Sequence, residues 1–127
     1  LFRSVPILGI CFGFQLLASA FGGKILRLEH LGHGQGLKET IPLIESVLFK
    51  GIADRAQVFQ SHSDHVCIPP PGFQVISTDV NGIIQAIENQ EKMRFGVQFH
   101  PEGTCDGHKI LENFISYCQA RILNTQE

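Results

Sequence analysis

Residues 4–23, SVPILGICFGFQLLASAFGG, place one cysteine between two glycines and between two apolar runs. The first run, residues 5–10, has the length and composition of a strand that is covered on both faces in a parallel sheet. The second run, residues 12–21, is apolar almost all round and predicts a buried helix, which the glycine pair at its end stops. Cys11 therefore lies at a predicted turn from a central strand into a helix.

The glycines around Cys11 match the nucleophile-elbow pattern, with Cys in place of Ser. A sharp turn strains the backbone at its central residue, and we expect side chains at Gly9 and Gly13 to clash with the neighbouring strand and helix. The start of the helix is expected to lower the pKa of the thiol and to offer free N–H groups to an oxyanion. The motif alone leaves a second interpretation open, a buried structural thiol, because cysteine is among the most buried residue types.

The rest of the chain predicts more strands and a final helix. Strands are predicted at 24–28, 57–60, 73–78, 83–88 and 93–100, a Gly-rich turn at 31–37 and a short helical segment at 43–52. Asp106 can cap a last helix with an apolar stripe of Leu111, Phe114, Ile115, Cys118 and Ile122. Strands mixed with helices after an opening strand and turn indicate an α/β fold, a three-layer open sheet with helices on its faces.

A candidate base follows the last predicted strand, in VQFHPEG at residues 97–103. Residues 93–99 alternate, with Met93, Phe95, Val97 and Phe99 on one face, and His100 and Glu102 extend the other face. Pro101 favours an extended backbone at the residue before it. Glu102 can then accept a hydrogen bond from one ring nitrogen of His100 and leave the other to serve Cys11. The alternative is a strand-end histidine that pairs locally with an acid.

Three segments together carry a family resemblance: PILGICFGFQLLASAFGGKI (6–25), SHSDHV (61–66) and FGVQFHPEG (95–103), with ILENF (110–114) behind them. The chain resembles the class I (triad) glutamine amidotransferases along nearly its whole length. The resemblance implies that Cys11 is the nucleophile, His100 the acid and base, and Glu102 the group that orients His100. It also implies that Phe12 donates its backbone N–H to the oxyanion hole and that Gln15 contacts the substrate glutamine.

Within that family, VFQSHSDHVCIPPPGFQVISTD (58–79) is similar to the S-H-x-D-x-V and L-P-x-G-F pattern of GMP synthase glutaminases. Ser61, His62 and Asp64 fall on this pattern, and the resemblance implies that the segment, with Ser63, lines the glutamine pocket. Ser63 replaces the small or apolar residue that is usual there. GTCDGH (103–108) also departs from the usual V-x-H-T.

The resemblance implies hydrolysis of the side-chain amide of L-glutamine without a metal or an organic cofactor. It further implies that the ammonia passes to a synthetase, on the same chain or on a partner, like that of GMP synthase. Family members carry further strands and a Gly-rich loop with a second oxyanion donor before the elbow, and nothing here matches these. We therefore expect residues 1–127 to be the C-terminal two thirds of a type 1 amidotransferase domain, N-terminally truncated or completed by a partner chain.

Three other functions stay open. The chain could be a non-catalytic interaction domain that kept the fold, or a γ-glutamyl hydrolase or thiol peptidase on the same scaffold. A zinc module is the third, because imidazole and thiolate suit zinc. Its candidate ligands form two clusters: His62, His65 and Cys67, and then His100, Cys105 and His108. Neither cluster has a regular spacing of ligand pairs.

Composition narrows the class of protein but names no partner. A chain of 127 residues is long enough for one domain with a hydrophobic core. A net charge of -2 with 17% charged residues gives no bias toward nucleic acid or anionic membranes. No apolar run approaches the ~18 residues of a membrane span, and none has the flanks of a signal peptide, so a cytoplasmic protein is expected. The four irregularly spaced cysteines are expected to be free thiols, and GHGQG (32–36) a surface turn rather than a phosphate cradle.

Overall fold

The computed structural model describes residues 5–27 and 35–126, and in this part of the chain strands and helices are mixed along the sequence. The strands are β1 (Ile7–Ile10), β2 (Lys24–Arg27), β3 (Gln35–Pro42), β4 (Ala56–Ser61), β5 (Asp64–Ile68), β6 (Gln74–Thr78), β7 (Ile84–Asn89) and β8 (Arg94–Val97). The α-helices are α1 (Phe12–Ala20) and α2 (Cys105–Gln126), and two short 3-10 helices span Val47–Phe49 and Pro101–Gly103. The predicted α/β class is confirmed.

Six strands form the central sheet, in the order β1-β8-β7-β6-β3-β4. Its one parallel pair among the described strands is β1 with β8, and the other neighbours are antiparallel. Strands β2 and β5 pair in a separate antiparallel ribbon. This topology places the first and last described strands side by side, with their carboxyl ends at the same edge.

The two α-helices cover opposite faces of the sheet, which confirms the three-layer expectation. A side-chain carbon at Gly96 would meet the ring of Phe14 in α1, so this face of β8 lies under α1. The ring of Phe95, on the other face, packs edge-on against Phe114 and Tyr117 of α2, at centroid distances of 5.9 and 5.2 Å. The alternation predicted for residues 95–99 therefore separates two layers of the core. Each phenylalanine buried in this way contributes ~1.5–3 kcal/mol.

Helix α1 and strand β1 are less buried than their sequences predict. Phe14 and Ala18 are fully buried, but Phe12 and Leu16 are 67% and 55% exposed. The expectation of a helix buried all round is wrong, because α1 rests on the sheet by one face. Strand β1 has α1 on one face at Gly9 and the core under α2 on the other face at Leu8 and Ile10, but Ile7 at its start is 41% exposed.

Two strands were not predicted, and one helical segment was overestimated. Strands β5 and β3 fall where no strand was expected, and residues 35–37 of the predicted Gly-rich turn belong to β3. Residues 28–34, with the rest of that turn and most of GHGQG, lie outside the described residues. Of the helical segment predicted at 43–52, the structure has one 3-10 turn at Val47–Phe49.

Helix α2 exists as predicted, but its cap and its buried face differ. The hydroxyl of Thr104 accepts the Gly107 N–H at 2.9 Å, whereas the Asp106 carboxylate accepts the N–H of Gln57 on β4 at 2.7 Å. Thr104 is thus the capping residue, and the Asp106 prediction is wrong. The inward face is Ile110, Asn113, Phe114 and Tyr117, while Ile115 and Ile122 of the predicted stripe are exposed. The stripe was misplaced by about one residue, because Asn113 is a polar member of the buried face.

The four cysteines are free, as expected. Neither described helix is both long and apolar enough to span a membrane.

Candidate active site

Cys11 occupies the sharp turn between β1 and α1. Its φ of 53° and ψ of -106° lie outside the usual regions for a residue with a side chain, so the backbone is strained at the candidate nucleophile as predicted. The Cys11 N–H donates to the Val97 carbonyl at 2.8 Å, and its own carbonyl accepts the Gln15 N–H at 3.1 Å. Strand β8 and helix α1 therefore hold the turn from its two sides.

The two glycines that flank Cys11 differ in how much space a side chain would have. A Cβ at Gly9 would lie 2.7 Å from the Gly13 carbonyl oxygen and 2.9 Å from the Phe14 nitrogen, so only glycine lets the strand pass this close to the helix. A Cβ at Gly13 would meet nothing within 4 Å. The predicted clash is confirmed at Gly9 and wrong at Gly13, because Gly13 projects away from the strand.

The electrostatics of the thiol are set first by burial. Burial raises the pKa of Cys11 above its ordinary value of 9.0, the Phe12 N–H and the Gln98 side chain lower it, and the Glu102 carboxylate adds to the rise. The helix start thus acts in the expected direction through Phe12, but the expectation of a lowered thiol pKa is wrong overall. At neutral pH Cys11 is therefore mostly a thiol and not a thiolate.

His100 and Glu102 lie next to each other, as the sequence predicted. The Nδ1 atom of His100 lies 3.3 Å from Oε1 of Glu102, with side chains 33% and 61% exposed. The His100 backbone is extended, and its N–H donates to the Phe59 carbonyl at 2.8 Å. Glu102 reaches the ring through the 3-10 turn Pro101–Gly103, not through the continued extended register we expected. Glu102 therefore comes within reach of Nδ1 because the chain turns there, and not because the two residues lie on one face of a strand.

The first turn of α2 fixes the turn that carries Glu102. A Cβ at Gly107 would lie 2.1 Å from the carbonyl oxygen of Pro101, so helix and turn approach to a distance that only glycine permits. The Nε2 atom of His108 lies 2.8 Å from the Glu102 carbonyl oxygen and ties the same turn to α2 a second time. The position of Glu102 therefore depends on α2.

The parallel pairing of β1 with β8 brings these groups to one edge of the sheet. Ile10 is aligned with Val97, so Cys11 and the residues after β8 emerge side by side. The effect of the Glu102 charge on the Cys11 pKa reports the same proximity.

The segment between β4 and β5 forms another wall of this site. The Cys11 Sγ lies 3.7 Å from the Ser61 carbonyl oxygen. The His62 ring turns inward, with Nδ1 2.9 Å from the Asp64 carbonyl oxygen and Nε2 2.8 Å from Oε1 of Gln60. Burial lowers the pKa of His62. The structure thus brings the Ser61 backbone to the thiol, uses both ring nitrogens of His62 within the protein, and leaves Ser63 exposed.

Gln15 and Gln98 connect the thiol to that wall. The Gln15 Nε2 donates to the Asp64 carbonyl at 3.0 Å and to Oε1 of Gln98 at 3.3 Å, and the Gln98 Nε2 lies 3.8 Å from the Cys11 Sγ. Sequence reasoning named Gln15 but missed Gln98. The signal was there, since Gln98 precedes His100 by two residues on the same face of an alternating segment.

Two other kinds of site can be weighed on the described residues, a metal centre and a groove away from Cys11. Within residues 5–27 and 35–126, no three His, Cys, Asp or Glu side chains are grouped to hold a metal ion, so the zinc clusters considered from the sequence do not form there. A groove of about 750 Å³ is lined by residues 42–47, 49, 50 and 52 and by Gln90. We place the candidate site at Cys11 rather than in this groove, because the groove contains neither a nucleophilic thiol nor a histidine.

The family model described as glutamine amidotransferase class-I matches residues 1–117. The chain belongs to this family. It is 40% identical over 119 residues to a GMP synthase [glutamine-hydrolyzing] of Thermus thermophilus, a match that covers 92% of the chain and 23% of that relative. In Saccharolobus solfataricus the relative is one separate subunit of GMP synthase [glutamine-hydrolyzing]. It is 40% identical to the chain over 117 residues, a match that covers 91% of the chain and 61% of that relative.

Solved structures of family members share the fold. A putative GMP synthase subunit from Thermoplasma acidophilum superposes with a TM-score of 0.86 at 27% identity, over 96% of the chain and 61% of that protein. A glutamine amidotransferase from Thermotoga maritima superposes with a TM-score of 0.71 at 24% identity, over 98% of the chain and 51% of that protein, and supports the fold alone. The chain spans about a quarter of the longer GMP synthases that it matches and about three fifths of the relatives that are separate GMP synthase subunits.

Proposed function

We propose that this domain hydrolyses the side-chain amide of glutamine with Cys11, His100 and Glu102, and that it supplies the ammonia to a synthetase that makes GMP. One observation carries the proposal: a cysteine on a strained strand-to-helix turn emerges beside a histidine whose Nδ1 lies 3.3 Å from a carboxylate. A nucleophile, a base and an orienting acid at one sheet edge make up a triad of the hydrolytic type. The names of the relatives supply the substrate, glutamine, and the product of the synthetase, GMP.

In the first half-reaction the Cys11 sulfur attacks the amide carbon of glutamine, and His100 takes the thiol proton. The carbonyl oxygen becomes an oxyanion near the start of α1, where the Phe12 N–H is a donor. His100 then passes its proton to the leaving nitrogen, so that ammonia departs and a glutamyl thioester remains. Glu102 stabilises the protonated ring through its 3.3 Å contact with Nδ1.

In the second half-reaction His100 takes a proton from water, and the hydroxide attacks the thioester carbon. The C–S bond breaks, the thiolate recovers a proton from His100, and glutamate leaves. Glutamine and water are consumed, and glutamate and ammonia are produced. The raised pKa of Cys11 fits this cycle, since the thiol stays protonated until a substrate and His100 act on it together.

The glutamine pocket is proposed to lie between α1 and the segment after β4. Gln15 uses its nitrogen in both of its described hydrogen bonds, so its oxygen is suited to accept from the α-amino group of glutamine. The Ser61 carbonyl is a second acceptor beside the thiol, and exposed Ser63 stands next to it. His62 holds the wall in place through Asp64 and Gln60.

Residues 1–127 are proposed to be one part of a type 1 amidotransferase domain that acts in the cytoplasm. The relatives that carry the match are either longer GMP synthases or separate GMP synthase subunits, which supports a synthetase as the partner. The second oxyanion donor is proposed to come from polypeptide that this sequence does not include.

The test is ammonia release from glutamine, compared between the parent protein and its Cys11→Ala variant. We expect the substitution to lower the rate at least ~10³-fold, because nothing else in the triad can attack the amide. Cys118→Ala, which removes a thiol of α2 outside the site, is the matched control and should leave the rate unchanged.

A glutamine-like diazoketone should label Cys11 alone, as measured by peptide mass spectrometry. Equal ammonia release by the parent and by Cys11→Ala would overturn the proposal. Cleavage of γ-glutamyl peptides without ammonia release from glutamine would show that the protein is a γ-glutamyl hydrolase instead. The absence of both activities would favour a non-catalytic interaction domain.

A further inference from the structure

Gln98 is a fully buried polar residue directly after β8. Its backbone N–H donates to the Gln85 carbonyl at 2.7 Å, which continues the sheet pairing beyond the strand. Its side chain lies on the α1 face, opposite the Val97 and Phe99 side chains that enter the α2 core. A buried amide in this position costs free energy unless its hydrogen bonds are made.

The hydrogen bonds around Gln98 have a fixed direction. The Asp64 backbone carbonyl can only accept, so the Gln15 side chain must present its nitrogen there. That nitrogen also donates to Gln98, which must then present its oxygen. The Gln98 nitrogen is therefore the atom that faces the Cys11 sulfur, 3.8 Å away. The Asp64 carbonyl on β5 thus fixes the orientation of the Gln15 amide, which in turn fixes that of Gln98, so that the Cys11 thiol faces an N–H donor.

We propose that Gln98 is a positioning residue for the nucleophile, whose amide donates to Cys11 and stabilises its thiolate. Burial and the negative charge of Glu102 both disfavour the thiolate, while the Phe12 N–H and the Gln98 amide favour it. During reaction the Phe12 N–H is needed by the oxyanion, which leaves the Gln98 donor with the sulfur. The part of this inference that concerns catalysis rests on the proposed function, and the part that concerns the thiol does not.

The groups that face Cys11 limit what else can set its titration. Strand β8 and the turn after it contribute Gln98, His100 and Glu102, and the segment after β4 contributes the Ser61 carbonyl. Helix α1 contributes the Phe12 N–H. Of these groups, only Gln98 is a neutral side chain that can be replaced without changing a charge.

The test replaces Gln98 by methionine, which has a similar shape and no donor, and measures alkylation of Cys11 by iodoacetamide against pH. In this reaction the thiolate forms the S–C bond and iodide leaves, so the rate follows the thiolate fraction. We expect the midpoint to rise by about one pH unit, and the rate below the midpoint to fall about tenfold. With glutamine, kcat should fall about tenfold while KM changes little.

Gln85→Met is the matched control. Gln85 is also a fully buried glutamine, on the neighbouring strand β7, but its side chain bonds to Gln60 and not to the thiol. It should lower the melting temperature and leave the alkylation midpoint in place. An unchanged midpoint in Gln98→Met, or an equal shift in Gln85→Met, would overturn the proposal.

A measurement on the parent protein keeps the inference testable if Gln98→Met does not fold. The side-chain amide signal of Gln98, followed by ¹⁵N NMR against pH, should titrate with the same midpoint as Cys11 alkylation and should stay flat in Cys11→Ala. A flat signal in the parent protein would overturn the proposal. Neither the alkylation midpoint nor the NMR signal of Gln98 depends on glutamine. A shifted alkylation midpoint in Gln98→Met, together with a parent protein that releases no ammonia, would therefore reject the proposed function and leave the role of Gln98 standing.

Discussion

Gly107→Ala tests whether α2 controls the geometry of the proposed triad. The added Cβ would stand 2.1 Å from the Pro101 carbonyl oxygen, and real contacts of this kind start at 3.0 Å, so helix and turn must separate by about 0.9 Å. The neighbour is backbone, which cannot rotate away. The separation displaces Pro101–Gly103, the turn that holds Glu102 against His100.

Both the stability and the activity should fall by amounts that follow from this displacement. Overpacking costs ~1–3 kcal/mol, and we take the upper end because a carbonyl is in the way. Alanine returns ~1 kcal/mol of helix propensity, which leaves about 2 kcal/mol. A chain of this size should then melt about 8 °C lower. A misplacement near 1 Å in the triad costs ~10²-fold in kcat.

The assays are thermal unfolding and ammonia release from glutamine, with Gly13→Ala as the stability control. Gly13 is also near a helix start, but a Cβ there would meet nothing within 4 Å, so this variant should melt as high as the parent or higher. A Gly107→Ala protein that melts like the parent and releases ammonia at the parent rate would refute the reasoning.

Two further predictions concern the core and the wall of the site. Gly96→Ala should lower the free energy of unfolding by ~1–3 kcal/mol, because its Cβ would lie 2.4 Å from the Phe14 ring. Phe14→Leu should lower the free energy of unfolding less in the Gly96→Ala protein than in the parent protein. Losses that simply add in urea unfolding would contradict the predicted contact between the two positions. Burial lowers the pKa of His62 from its ordinary 6.5, so the unfolded chain binds the proton more tightly than the folded chain. The ring therefore contributes stability above pH 6.5, and this stability is lost as the pH falls through the folded pKa. The urea midpoint should therefore drop less between pH 7.5 and 5 in His62→Gln than in the parent, and equal drops would show that His62 is not the titrating group.

The sequence predicted the parts of the fold whose signals are local. The turn at Cys11, helix α2 and the alternation through Phe95 and Val97 each follow from a few neighbouring residues. Strand β3 was missed because its sequence, QGLKETIP, has few apolar residues, and Leu37 within it is 58% exposed. Six residue pairs with β4 define that strand, and no local pattern reports such pairing.

In the candidate site too, contacts between sequence neighbours could be predicted and contacts between distant residues could not. The pairing of His100 with Glu102 was predicted, because the two residues are close neighbours in sequence. The role of Gln98 was not, since its partners Gln15 and Cys11 lie 83 and 87 residues away. The balance of burial against the helix start at Cys11 was also misjudged, because burial depends on how the whole chain packs.

The pairing of β1 with β8 has a consequence for the timing of synthesis. Ile7 and Arg94, the first aligned pair, are 87 residues apart, so this pairing closes a very long loop and comes late in folding. A ribosome-bound chain that has not yet exposed residues 94–102 carries Cys11 on a strand without its neighbour, and without the proposed base His100. The proposed triad can therefore assemble only after translation has passed β8, the last described strand, and the turn that carries Glu102.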